Sequence, residues 1–292
     1  MLFLLLLGAC RAQPEQQPIA FDQPGKPALW RVANSKGGGA YLFGTVHLLP
    51  PDAQWQGPVI EEAVRSSDRL VLEVADLDNA QAAAEIFAQM GIAHGLPPFI
   101  DRIPPDLRRS ARQMASDADI PLSVLDGMKS WAAALALASA ANTDLGLSRE
   151  AGAEHVLQYR FESQGKPVSG LETTSKQFGF FDALPEREQR ALLADIVRNA
   201  GKGRASYTKM LSDWMAGRSD RLLDSANDGM LTSPVIRETL LDGRNRAWAA
   251  QIATQIEKGQ HPFIAVGAGH LAGPGGVPEL LKTKGYSVER IQ

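Results

Sequence analysis

The chain has 292 residues, 44% of them hydrophobic and 22% charged, with a formal net charge of −3. That length can bury a large core, and the balance is that of a globular domain rather than a disordered or fibrous chain. There is no basic excess and no Lys/Arg cluster interleaved with aromatics, so nucleic acid is not an expected partner; the single cysteine, Cys10, rules out an intramolecular disulfide.

Residues 1–10 read as a signal segment. Positions 2–7 are an apolar run too short to span a bilayer as a helix but suited to a signal-peptide core. Leu7-Gly8-Ala9-Cys10 has the form of a bacterial lipobox, in which the cysteine is lipidated and becomes the mature N-terminus, although no Lys or Arg precedes the run. The expected location is therefore the cell envelope, as a periplasmic domain anchored to the membrane through Cys10. The alternative is cleavage near Ala12 and a soluble periplasmic protein. Residues 11–27, polar and rich in Gln and Pro, read as a flexible tether.

Apolar stretches 28–32 and 40–43 flank the Gly-rich turn 34–39 and predict a β-hairpin. A short helix is expected over 59–65 and a strand over 69–74. Helical patterning follows to about residue 164. Asn79 caps a helix reaching Met90, Pro105-Asp106 opens one with Arg108, Arg109 and Arg112 on its wet side, 131–141 is an alanine-rich buried helix, and 148–163 forms the next. A fourth strand is expected over 167–172. Helices return from Thr174, and the last long one runs from 234 to 258, where Gly259 ends it. A strand over 263–266, a glycine turn, a helix over 277–284 and a strand over 286–291 close the chain. The expected fold is α/β (α+β), a single domain over 28–292 with a central mixed β-sheet surrounded by many helices.

Two strands deliver histidines in the same way. Tyr41-Leu42-Phe43 runs into Gly44-Thr45-Val46-His47, and residues 263–266 run into Gly267-Ala268-Gly269-His270, in a chain with five histidines. Two further strands end in carboxylates, Glu73 and Glu172. In α/β sheets the ligand crevice lies outside the carboxyl ends of the strands, so the four groups converge if those strands are parallel neighbours. Two imidazoles and two carboxylates suit a divalent ion such as zinc, manganese or cobalt. His47, His270, Glu73 and Glu172 are the expected metal ligands. A carboxylate of the Glu73/Glu172 pair not fully engaged by the metal is the expected general base, and Arg244 is expected to hold a carboxylate or a developing oxyanion. Gly44, Gly267 and Gly269 are expected to use positive φ or to allow close backbone approach. His94, His155 and His261 read as surface or capping residues. There is no Gly-x-Ser-x-Gly and no His-Glu-x-x-His, and Gly267-Ala268-Gly269 with Gly273 has the wrong spacing for a dinucleotide loop.

At these residues the chain resembles the TraB/GumN (TraB/PrgY/GumN) family, related to the Tiki metalloproteases. The resemblance covers about Trp30 to Arg290. It rests on Gly44-Thr45-Val46-His47, Leu72-Glu73, Leu171-Glu172-Thr173 with Gln177, Asp213-Trp214-Met215-Ala216-Gly217, Arg244-Asn245 with Trp248, and Val266-Gly267-Ala268-Gly269-His270-Leu271 with Gly273. It implies one α/β domain of the EreA/ChaN-like kind and, in the Tiki branch, metal-dependent proteolysis with manganese or cobalt. The family name derives from an exopolysaccharide gene cluster, which implies an envelope context. The expected function is a metal-dependent hydrolase acting on a peptide or protein substrate. The alternatives are a non-catalytic envelope binding or assembly factor of the same fold, and an esterase-type hydrolase.

Overall fold

The computed structural model describes residues 19–21, 23–75, 79–141, 145–200, 203–227, 231 and 233–292. The signal segment with Cys10, and tether residues 11–18 and 22, lie outside the described residues.

The sheet holds β1 (Leu29–Ala33), β2 (Gly39–Thr45), β3 (Arg69–Leu72), β4 (Val168–Gly170), β5 (Pro262–Gly267) and β6 (Ser287–Arg290), in the order β4-β3-β5-β2-β1-β6. The run β4-β3-β5-β2 is parallel throughout, while β1 is antiparallel to both β2 and β6. The sheet is therefore mixed, as expected. The β1–β2 hairpin forms because Asn34 Oδ1 accepts from the backbone N–H groups of Lys36 and Gly38, and Gly37 takes a φ of 88°. β5 is central. Phe263 and Ala265 face one side, Ile264 and Val266 the other, and all four are fully buried. That two-sided burial explains why β5 is a continuous apolar run instead of an alternating one.

One face of the sheet is covered by α1 (Pro58–Ser66), α6 (Ala153–Ser163) and α9 (Gly203–Met215). Trp55, Phe161 and Trp214 pack there on Phe43, Leu72 and Phe263. The other face carries α12 (Gly243–Glu257) and α13 (Val277–Thr283), whose Trp248, Ile252, Val277 and Leu281 meet Leu42, Val71 and Ile264. A third cluster joins α3 (Arg108–Asp117), α4 (Leu122–Asp126), α5 (Ser130–Ala140), α8 (Glu186–Asn199) and α11 (Pro234–Arg237). α2 (Ala80–Gly91) and α7 (Thr174–Asp182) meet through Phe87 and Phe178, the first edge-on to Trp131 of α5 and the second stacked on it. α10 (Ser219–Asn227) packs beside α9. Among the described residues no helix is long and apolar enough to cross a membrane.

Three elements differ from the sequence reading. The strand expected over 167–172 is only three residues long and largely exposed, because β4 is an edge strand with one neighbour. The helix expected from 148 begins at Ala153, since Ser148 pairs with Leu49 in an isolated bridge and Gly152 caps the helix. The long helix over 234–258 is interrupted by a π-helical turn at Glu238–Asp242, just before Arg244. Such turns insert an extra residue and rotate the remainder of the helix, and they recur at functional sites.

Candidate active site

Parallel pairing of β4, β3, β5 and β2 brings their carboxyl ends to one edge. Glu172, Glu73, His270 and His47 come directly after those four strands in that spatial order. The four sequence-predicted groups therefore share an edge, but their surroundings differ.

Glu73 accepts from three different residues. Its Oε1 accepts from the Gly267 N–H at 2.8 Å, and its Oε2 accepts from Arg244 Nη2 at 2.8 Å and Gln177 Nε2 at 3.1 Å. Burial pushes its carboxyl up, but the charges of His270 and Arg244 and the Gly267 N–H pull harder, down to about 2. At neutral pH, where His270 is uncharged, the counter-charge is Arg244.

Glu172 faces inward. Its Oε1 accepts from Trp248 Nε1 at 2.9 Å and Arg244 Nε at 3.2 Å, and its Oε2 accepts from Arg244 Nη2 at 2.8 Å. Its side chain has no solvent exposure. Arg244 completes its set of donors with Nη1, which donates to the Leu240 carbonyl at 3.2 Å and lies 3.3 Å from His270 Nε2. Its guanidinium also stacks 4.6 Å from the Trp248 ring. All three of its nitrogens are engaged within the protein. Two of them, Nε and Nη2, donate to the carboxylates of Glu73 and Glu172.

His270 sits on a 3-10 turn, Ala268–Leu271, and is buried against Trp248 with ring centroids 4.4 Å apart. Asn245 fixes its tautomer. Asn245 Nδ2 donates to the Gly275 carbonyl at 2.9 Å, so Oδ1 is the atom 2.6 Å from His270 Nδ1, and Nδ1–H must be the donor. The lone pair is then on Nε2. Burial lowers the pKa of this ring to about 4, keeping it neutral.

His47 is the exposed member, with 75% of its side chain open to solvent. Its Nδ1 lies 2.9 Å from Oε1 of Glu154 at the start of α6, and that carboxylate raises the imidazole to about 9. Exposure on the cleft side screens the pair. Burial pushes Glu154 up, but the His47 charge and hydrogen bond bring its carboxyl below the ordinary range. α6 reaches this position because Gly152 abuts the His47 carbonyl oxygen, with which any Cβ would collide. Close approach also explains two of the motif glycines. A Cβ on Gly44 would press on Ala268 and one on Gly267 on Glu73 Oε1, and neither glycine uses positive φ; nor does Gly269.

His47, Glu73, Glu154, Arg149, His155 and Gln177 line one cleft of about 370 Å³. Sequence reasoning missed Glu154, and it treated His155 as a surface residue. The only signal for Glu154 was a carboxylate at the same helical spacing as Gln158 and Phe161, on the face that packs inward. His94 and His261 stay outside the cleft lining, as expected.

The model of the TraB/PrgY/gumN family matches residues 28–290. The chain belongs to this family. Two similar relatives are both described as "Uncharacterized protein YbaP". One, from Shigella flexneri, is 25% identical over 246 residues, covering 83% of this chain and 88% of the relative. The other, from Escherichia coli K12, is 25% identical over 245 residues, covering 83% and 87%. No solved structure matches the chain.

In this TraB/PrgY/gumN domain the donor chemistry suits a divalent ion at three of the four expected ligands. His47 and His270 each engage a side-chain oxygen through Nδ1, the second contact that orients metal-binding imidazoles, and Glu73 adds an anionic oxygen. Glu172 stands apart, since its side chain has no solvent exposure and does not line the cleft, whereas Glu73 does. The three are not drawn around a common point. Among the described residues no three His, Cys, Asp or Glu side chains lie close enough to grip one ion.

Proposed function

We propose that the protein is a hydrolase of the bacterial cell envelope that cleaves peptide bonds of a peptide or protein substrate in the His47–Glu73 cleft. A divalent metal, manganese, cobalt or zinc, would be held by His47, His270 and Glu73. When bound, such an ion supplies a lowered water pKa and polarisation of the scissile carbonyl.

The observation that supports this reading is Glu73. A carboxylate kept ionised at a cleft wall by Arg244, Gly267 and Gln177 is held ready to accept a hydrogen bond from a water and direct it. Glu154 and Asn245 fix the two imidazole rings. Arg149 on the cleft wall offers a guanidinium to a substrate carbonyl or carboxylate oxygen. Anchoring through Cys10 would keep the domain at the membrane on the periplasmic side; a Cys10→Ala chain should then move to the soluble fraction.

The test compares gently purified wild type with a His47→Ala, His270→Ala double mutant, for bound divalent metal and for activity on peptide and ester panels. Metal and peptidase activity in the wild type, lost in the mutant, support the proposal. A wild type without metal, matched by the mutant in every assay, ends it. The saturation of Arg244 and Glu172 favours a second reading, a non-catalytic binding or assembly factor of the same fold. A partner retained in pull-downs after chelation would support that one.

A further inference from the structure

Away from the cleft, and sharing no residue with it, a groove of about 600 Å³ runs between α8 and the segment 101–108. Five arginines line it, Arg102, Arg108, Arg187, Arg190 and Arg198, against two aspartates, Asp101 and Asp195. In a chain with a net charge of −3 this is a local reversal of sign. Three of the arginines form one stripe of α8, with the small Ala191 and Ala194 between them as a floor. Pro104 and Pro105 make the opposite wall rigid.

The outer four arginines each have a carboxylate neighbour. Arg187 lies 2.9 Å from Glu188 and Arg190 lies 2.7 Å from Glu186, while Arg108–Asp101 and Arg198–Asp195 are longer, at 3.4 and 3.5 Å. All four are at least 36% exposed, and such pairs hold their partners weakly.

Arg102 differs. It is 3% exposed, and its terminal nitrogens donate to the backbone carbonyls of Met128, Leu125 and Asp126, with no carboxylate in contact. Its Nε is buried without a hydrogen-bond partner. This buried guanidinium is held by neutral carbonyls, and the charges of Glu186 and Asp126 reach it only through space, a weak return for burying a cation. Burial presses its pKa down against the opposing pull of Glu186 and Asp126, and an anion in the groove would add to that pull.

We propose that this groove binds a phosphate-bearing anion, with Arg102 as buried anchor and Arg108, Arg190 and Arg198 as the outer clamp. Guanidinium forks match tetrahedral, multiply charged oxyanions in geometry, and several forks around one open groove suit a pyrophosphate or phosphomonoester better than a single carboxylate.

Calorimetry of the full chain with inorganic pyrophosphate, at about 0.15 M salt to suppress non-specific attraction, tests the site directly. Flotation with phosphatidylcholine vesicles, with and without phosphatidic acid, tests the same chemistry on a lipid headgroup. The plain vesicles subtract any N-terminal anchoring. The variant is Arg108→Gln, Arg198→Gln, a half-buried and an exposed position on the groove rim, with its fold checked by circular dichroism. Arg31→Gln, a surface arginine of β1, is the control. Saturable pyrophosphate binding, weakened at least about tenfold in the double variant and unchanged in the control, is expected. Pyrophosphate binding without preference for phosphatidic acid assigns a soluble phosphate, and preference for phosphatidic acid alone assigns a headgroup. Absence of both, or equal affinity in the double variant and wild type, overturns the proposal.

Discussion

Arg244→Met is the most informative single perturbation of this domain. Arg244 is 8% exposed and holds two carboxylates, Glu73 through Nη2 and Glu172 through Nε and Nη2. Methionine keeps much of the apolar stem and its packing on Trp248 but removes the arginine that, among the described residues, is the only permanent cation in contact with either glutamate. Breaking a buried ion pair from one side costs about 3–5 kcal/mol, because the remaining charge is left unpaired. Here two charges are left. Gly267, Gln177 and Trp248 still donate to them, and one can take up a proton, so the lower end, about 3 kcal/mol, is expected at pH 7. For a domain of this size that is a fall in Tm of roughly 6–12 °C. Urea unfolding followed by circular dichroism measures it. Adding Glu172→Gln should recover more than about 1 kcal/mol by removing one stranded charge. Arg244→Lys should fall between, because a point charge cannot span both carboxylates. If Arg244→Met unfolds within about 1 kcal/mol of wild type at pH 7, the three-way clasp is not what holds this edge of the sheet.

Three further outcomes are expected. Stability should fall in acid in two overlapping stages. The folded pKa of His270, about 4, lies below its ordinary 6.5, so the unfolded chain takes the proton first and stability is lost as pH drops from 6.5 toward 4, by at most about 3 kcal/mol. Glu73, at about 2 against 4.5, contributes above pH 4.5 and loses its contribution as pH falls through 2; the two groups are 3.8 Å apart, so the losses do not add. A urea midpoint that stays flat between pH 7 and 4 contradicts the burial of neutral His270. Glu154→Gln should bring the His47 pKa down from about 9 toward 6.5, read by NMR titration of the ring; an unchanged value means Glu154 is not its counter-charge. Gly152→Ala should destabilise by about 1–3 kcal/mol through overpacking against the His47 carbonyl and should broaden the His47 signals; a neutral effect would show that α6 is free to shift.

Much of this domain was legible before its structure. The hairpin turn 34–39, the apolar run of β5 and the two Gly-x-x-His units are local signals, set by turn chemistry and strand burial within a few residues. Boundaries were harder where the chain departs from simple periodicity. The π-helical turn at Glu238–Asp242 leaves no mark in a sequence that reads as one helix, and β4 reads as buried until its edge position is known. Arg244 was visible as a candidate, but whether it faced solvent, a substrate or its own protein depended on neighbours from β3, β4 and β5.

The sequence by itself determined the class of fold, the family and the residue types at the ends of four strands, because periodicity, turn residues and motifs act over short stretches of chain. Only the tertiary structure decided that these four strands are parallel neighbours, that Arg244 is held by both glutamates, and that Glu154 stands behind His47. Charge state and hydrogen bonding are set through space, by burial and by groups more than a hundred residues away along the chain, and no local pattern encodes which of them will meet.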